Sequence, residues 1–214
     1  MKMRFDRIFV IGFPKSGTTT INTALESSGF IGAHWYVEEG FVGDLMYRGF
    51  IKHDDPWYYL QNYSAITQAD VCLSNKNMNY WPNLDFSIIK KIQTKYPRCL
   101  FLLNYRNPIL ISNSIKNWND LQKRLIVSKI PGLPKGNGID NDLTNWIQMH
   151  FENVREHFKD NENFLELDIS KDNAPFILGE KIGVKINNWG VRNKNYLYKC
   201  LYKKFKGYLK SIFN

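Results

Sequence analysis

The segment Gly12-Phe13-Pro14-Lys15-Ser16-Gly17-Thr18-Thr19 constrains what this chain can fold into more than any other. Before it stands an apolar, β-branched run, Arg7 to Gly12 (RIFVIG), and after it Ile21, Ala24 and Leu25 recur at helical spacing between Thr18 and Ser28. The order is strand, glycine-bounded loop, helix. A strand that feeds directly into a helix has to return to the same sheet by a crossover, which points to parallel strands with helices packed on the faces.

The rest of the chain continues the alternation. Gly29 suits the position just past the first helix, and Phe30 to Tyr36 (FIGAHWY) reads as the second strand. A polar, aromatic stretch follows, then a helix from Trp57 to about Ile66 behind Pro56. Asp70 to Ser74 (DVCLS) reads as a short buried strand, Asp85 to Tyr96 as a helix, and Arg98 to Tyr105 (RCLFLLNY) as the strongest strand of all. Pro108 to about Arg124 reads as one helix with proline in its first turn. Between Ile130 and Asn141 the run PGLPKGNGIDN, with two prolines and three glycines, marks a surface loop. Asn141 to Lys159 is helical, Asn163 to Asp168 a strand, and Ala174 to Gly183 a short helix. The expected fold is α/β: one P-loop domain over residues 1–214, its core about 7–183, with a mostly parallel central sheet covered by helices on both faces. Ligands belong at the carboxyl ends of the strands.

Composition narrows the class. Lys plus Arg outnumber Asp plus Glu by 29 to 20, a formal charge of +9 that favours phosphate-rich ligands, polyanions or anionic lipid surfaces. No stretch approaches a membrane span and no apolar run follows the charged start, so the expectation is a soluble, unprocessed, cytoplasmic protein. Cys72, Cys99 and Cys200 are far apart and form no C-x-x-C pair, which predicts buried thiols rather than a disulfide framework or zinc site. Aromatic residues make up 15% of the chain, enough to furnish a sugar or aryl pocket as well as a core.

The spacing Gly12-x-x-x-x-Gly17 is that of a phosphate-binding loop, with backbone amides and the positive end of a helix converging on one anion and Thr18 and Thr19 adding hydroxyl donors. Yet Thr18 stands where a nucleoside triphosphatase carries its lysine. That lysine reaches the β- and γ-phosphates, so its replacement counts against a P-loop kinase or nucleotidase, the nearest enzymatic alternative. A non-catalytic P-loop module that holds a polyanion or membrane through a basic C-terminus is the other alternative.

Pro14-Lys15-Ser16-Gly17-Thr18-Thr19 resembles the 5′-phosphosulfate loop of sulfotransferases that use 3′-phosphoadenosine 5′-phosphosulfate (PAPS). A second segment agrees. Arg106, in Tyr105-Arg106-Asn107-Pro108 at the end of the strongest strand, is followed eight residues later by Ser114 on the next helix, the interval at which the family binds the 3′-phosphate. Phe164 to Asp168 and the helix after it are similar to late elements of bacterial and viral members, so the likeness spans roughly Ile8 to Gly183. Gly190-Val191-Arg192-Asn193-Lys194 is a loose echo of the segment that closes over the 3′-phosphate, which adds Arg192 and Lys194 as candidates.

The resemblance implies transfer of a sulfuryl group from PAPS to an acceptor hydroxyl or amine, leaving 3′,5′-diphosphoadenosine (PAP), with Lys15 meeting the charge that grows on the bridging oxygen and no metal needed. It implies no nucleic-acid partner. Many members take their general base from a histidine at the end of the strand before the Arg-Asn-Pro strand, where this sequence reads Ser74-Asn75-Lys76. His34, at the carboxyl end of the second strand, is the expected base instead, with Glu38, Glu39, His53, Asp54 and Asp55 as alternatives. A carbohydrate or glycolipid acceptor fits this placement.

Residues 194–213 form an expected basic amphipathic helix, with Leu197, Leu201, Phe205, Tyr208, Leu209 and Ile212 at near-helical intervals and lysines between them. Two roles suit it: packing on the domain, or weak, reversible contact with the anionic inner face of a membrane.

Overall fold

In the computed structural model, residues 3–190 are described. In chain order they form β1 (Arg7–Val10), α1 (Thr18–Glu26), β2 (Gly32–His34), a hairpin of β3 (Tyr36–Val37) and β4 (Gly40–Phe41), α2 (Val42–His53) and β5 (Ala65–Gln68). A second hairpin of β6 (Val71–Leu73) and β7 (Met78–Tyr80) follows, then α3 (Phe86–Lys95), β8 (Cys99–Tyr105), α4 (Pro108–Lys116), α5 (Leu121–Val127), α6 (Asp142–His157), β9 (Phe164–Asp168) and α7 (Ala174–Ile182).

The two central strands β1 and β8 carry runs of consecutive apolar residues, so alternation loads both faces of the sheet. Ile8, Val10, Leu100 and Leu102 point one way and Phe9, Ile11, Phe101 and Leu103 the other, and all eight are 2% exposed or less. A sheet of this kind needs cover on both sides. Ile21 and Leu25 of α1 with Leu178 and Ile182 of α7 cover the first face. Met46 of α2, Ile88 and Ile92 of α3, and Ile147 and Phe151 of α6 cover the second. Each such side chain contributes roughly 1.5–3 kcal/mol by leaving water.

The five strands of the sheet run in the order β2-β5-β1-β8-β9, all parallel, with Ile8 opposite Leu100 and Phe9 opposite Phe101. From β1 the chain first builds outward to β2 and β5, then crosses to β8 and β9 on the other side. The direction of winding therefore reverses between β1 and β8. The crevice outside the carboxyl ends of those two strands is where α/β sheets of this kind bind ligands. No helix among the described residues is long and apolar enough to cross a membrane. Cys72 and Cys99 are buried free thiols; Cys200 and the 194–213 helix lie outside the described residues.

The α/β class holds, and several elements differ from the sequence reading. The span 57–66 is not a helix: Tyr58–Leu60 make one 3₁₀ turn and Ala65–Gln68 extend into β5, because a strand inserted between β1 and β2 gains two partners and buries Ala65, Ile66 and Thr67 completely. The DVCLS segment is extended but belongs to the β6–β7 hairpin, outside the central sheet. Ser74–Lys76 is then a 3₁₀ turn within that hairpin, and the sheet strand that precedes β8 in the chain ends instead at Gln68 of β5. The second strand stops at His34, since Trp35 turns the backbone into the left-handed region at φ 63°. Helix 108–124 is two helices, broken at Asn117–Asp120, where Asn119 adopts φ 46°. Helix α2 fills the stretch read only as polar and aromatic, with Val42, Leu45, Met46 and Gly49 along its buried face.

Candidate functional site

The loop after β1 is held by its carbonyls. His150 Nε2–H donates to Ile11 O at 2.8 Å, Asn83 Nδ2 to Gly12 O at 2.8 Å, and Asn104 Nδ2 to Ser16 O at 2.9 Å and Phe13 O at 3.4 Å. Ser16 Oγ also donates to Phe13 O, at 2.5 Å, and Arg106 Nη1 to Lys15 O at 2.9 Å. Phe13 is fully buried, its ring edge-on to Trp146 and His150 at 4.7 and 5.2 Å. With every peptide of the described residues trans, the amide that follows a carbonyl points the opposite way. Fixing the carbonyls of Lys15 and Ser16 against β8 therefore turns the amides of Ser16 and Gly17 away from it. Apart from the turn that closes over Pro14–Lys15, no loop amide from 13 to 17 among the described residues reaches a backbone carbonyl. Lys15 and Gly17, at φ 71° and 78°, give the loop its curl. A side chain at Gly17 would be strained by the left-handed backbone, and its Cβ would push on Ile169 Cδ1 at 2.8 Å. The result is a cradle of free amides at the N-terminus of α1, the arrangement that holds a phosphate.

A cavity of about 850 Å³ opens from this cradle. Pro14, Lys15, Gly17, Thr18 and Thr19 line it from the loop, and Arg106 and Ser114 line it from the other side of the winding reversal. The two segments singled out in the sequence thus meet on one wall. Asn107 makes this happen locally: its side chain caps α4 by accepting from Ile109 N at 2.9 Å, with Pro108 in the first turn, so that Ser114 comes round toward Arg106. Ser16 is placed differently from the expectation. Its side chain is fully buried and its hydroxyl turned into the loop, so only its amide remains for an anion.

Lys15 reaches across the cavity to rest its ammonium 3.0 Å from the centre of the Trp118 ring. The broken helix produces this contact, since the turn at 117–120 lifts Trp118 over the loop. Burial lowers the Lys15 pKa to about 8, with the neighbouring Arg106 guanidinium adding to the effect.

His34 also lines the cavity. Thr67 Oγ1 gives its proton to Asn22 Oδ1 at 2.7 Å, so it accepts from His34 Nδ1–H at 3.0 Å, leaving Nε2 to face Thr19 Oγ1 at 3.4 Å. Burial lowers the His34 pKa to about 4, and the ring is neutral near pH 7. None of the alternative bases is at the cavity. Glu39 accepts from Tyr63 at 2.9 Å, and Glu38 precedes it in the β3–β4 turn. His53 stacks on Tyr58 at 3.6 Å, Asp54 pairs with Lys91 at 2.6 Å, and Asp55 pairs with Lys95 at 3.1 Å. Arg192 and Lys194 lie outside the described residues. Gly190, just before them, lines the cavity and accepts from Thr20 Oγ1 at 2.9 Å.

Among the cavity residues that the sequence reading missed are Gln68 at the end of β5 and Asp70 past it, and Trp118 and Arg124 around the helix break. Arg124 pairs with Asp120 at 3.0 Å and donates to Cys72 O. Asp70 is 7% exposed and burial raises its pKa to about 6. Of these, Asp70 had a readable signal, a lone acidic residue where a β-branched run ends. Among the described residues no cluster of three or more His, Cys, Asp or Glu side chains is disposed to ligate a metal. No family model matches the chain, and no curated protein sequence matches it.

Proposed function

We propose that the chain is a sulfotransferase that moves a sulfuryl group from PAPS to an acceptor hydroxyl or amine. The observation that carries this reading is that the amide cradle with Lys15 and the Arg106–Ser114 pair, two anion sites built from separate segments, open onto one cavity at the winding reversal. One end of a PAPS molecule carries the 5′-phosphosulfate and the other the 3′-phosphate, which suits two such sites. Thr18 in place of a lysine weighs against ATP or GTP chemistry.

In this reading the amides of the loop hold the 5′-phosphosulfate, and the hydroxyls of Thr18 and Thr19 turn to it from Gln68 Oε1 and His34 Nε2, their partners in the structure. Lys15 leaves Trp118 to meet the negative charge that develops on the bridging oxygen. Arg106 offers its planar fork, and Ser114 one hydroxyl, to the 3′-phosphate, and binding there fixes the donor for in-line attack. Trp35, 39% exposed on the cavity wall, provides a flat apolar face that favours a carbohydrate or glycolipid acceptor. The protein acts in the cytoplasm, with peripheral membrane contact as the role of the 194–213 segment if the acceptor is lipid-linked.

Isothermal titration separates this reading from its alternatives: PAP should bind and ATP should not compete at equal concentration. Transfer of label from [³⁵S]PAPS to an acceptor should follow. Tighter binding of ATP than of PAP would refute the reading.

A further inference from the structure

Asp70 is a cavity carboxyl that the roles above leave without a task. It lies two residues past the end of β5, on the same edge as the loop. Keeping a carboxylate so far from water is costly. One side-chain hydrogen bond supports it, from Gln68 Nε2 to Asp70 Oδ2 at 3.2 Å. Gln68 is fixed in turn by Thr18, whose Oγ1 donates to Gln68 Oε1 at 3.2 Å, so the carboxyl is tied to the first turn of α1 where the donor would sit. Burial raises the Asp70 pKa to about 6 while the Gln68 contact acts in the opposite sense. Ionised near neutrality yet basic enough to take a proton, this group has the balance that general-base catalysis favours.

His34, the base expected from the sequence, is already committed. His34 spends Nδ1–H on Thr67 and turns Nε2 to Thr19, and a ring whose pKa is about 4 accepts a proton weakly. The charged and titratable groups that share the cavity with Asp70 are Lys15 from the loop, His34 from β2, Arg106 just past β8, Cys72 from β6, and Arg124 from α5, which pairs with Asp120.

We propose that Asp70 is the general base of the transfer and that His34 is a positioning residue holding Thr19; this rests on the sulfotransferase reading. As the acceptor oxygen forms its bond to sulfur, its proton passes to the Asp70 carboxylate. The bond from sulfur to the bridging oxygen breaks, and its electron pair leaves on the 5′-phosphate of PAP beside Lys15. Asp70 then returns the proton to water as the products depart.

The test is Asp70→Asn, which keeps the shape and loses the basicity. With [³⁵S]PAPS, transfer to the hydroxyls of chitotetraose should fall about 10²- to 10⁴-fold. Transfer to 4-nitrophenol, which ionises unaided in mildly alkaline buffer, should fall far less. The acid limb of the rate profile, set by a group of pKa about 6, should vanish in Asp70→Asn and persist in His34→Ala. PAP affinity should not change. One readout is independent of activity. The folded carboxyl titrates above its unfolded range, so its burden is absent in strong acid and complete above pH 6; the urea midpoint of Asp70→Asn should exceed the parent's at pH 8 and converge with it near pH 4. Undiminished transfer to chitotetraose by Asp70→Asn, or equal urea midpoints at pH 8, overturns this inference alone. A parent chain that transfers label to neither acceptor overturns it together with the sulfotransferase reading.

Discussion

Gly12→Ala adds one methyl group at the point where the loop leaves β1. Built on the backbone, that carbon falls 2.1 Å from Asn104 Oδ1, 2.9 Å from Asn104 Cγ and 3.3 Å from the Asn104 carbonyl oxygen. Asn104 is fully buried in β8, so its side chain has nowhere to retreat without releasing Ser16 O and Phe13 O. Overpacking costs roughly 1–3 kcal/mol, and two lost hydrogen bonds cost about 0.5–1.5 kcal/mol each. The sum, about 2–6 kcal/mol, should lower the thermal midpoint by roughly 4–24 °C for a chain of this size. Circular dichroism melts of four proteins measure it: the parent, Gly12→Ala, Asn104→Ala and the double variant. Asn104→Ala removes the two closest atoms, so the glycine substitution should be nearly neutral in that background, with a coupling of about 1–3 kcal/mol. Additive effects of the two substitutions, or a Gly12→Ala midpoint equal to the parent's, would refute the argument that Asn104 is what requires glycine.

On the sulfotransferase reading, Lys15→Ala should reduce kcat on the order of 10²- to 10³-fold, since the ammonium would meet charge present only in the transition state, with a modest loss of PAP affinity; unchanged turnover in labelled-PAPS assays would defeat the assignment. Arg106→Ala loses the bond to Lys15 O and, on the same reading, a phosphate clamp, and titration with PAP should show binding weakened roughly 10- to 100-fold. His150 is neutral in the fold, its pKa lowered to about 4 by burial, while its unfolded value is ordinary. Stability is therefore lost as pH falls from 6.5 through about 4, by up to about 3 kcal/mol. Urea midpoints of His150→Gln should be flatter than the parent's over that interval, and identical slopes would count against it.

What the sequence makes legible here is what lies close together along the chain. The loop is one run of eight residues, and Arg106 and Ser114 share a strand end and the helix after it, so their chemistry shows before any fold is known. The side chains that orient the loop do not show, because Asn83, Asn104 and His150 reach it across 71, 88 and 139 residues. Helix α2 carries a readable apolar stripe at Val42, Leu45, Met46 and Gly49. Gly43 and Gly49 disguise it, two poor helix formers kept because a Cβ would lie 2.2 Å from Ala69 O and 2.4 Å from Asp55 O. The strand Ala65–Gln68 is hidden for another reason: its extended form follows from partners on both sides, which no local pattern announces. Asp70 is visible as a residue, and its burial is a tertiary fact.

The ammonium of Lys15 resting on the indole of Trp118 makes the empty-handed protein a competitor of its own ligand. Any anion that recruits this lysine has first to separate it from the ring, and a cation held on an aromatic face is worth about 0.5–2 kcal/mol. That amount is subtracted from the affinity of every ligand that needs Lys15 and from none that does not. Selectivity between anions that engage the lysine and anions that merely occupy the cradle is thereby compressed. A chain with leucine in place of Trp118 should bind PAP several-fold more tightly, with its lysine left to wander when the cavity is vacant.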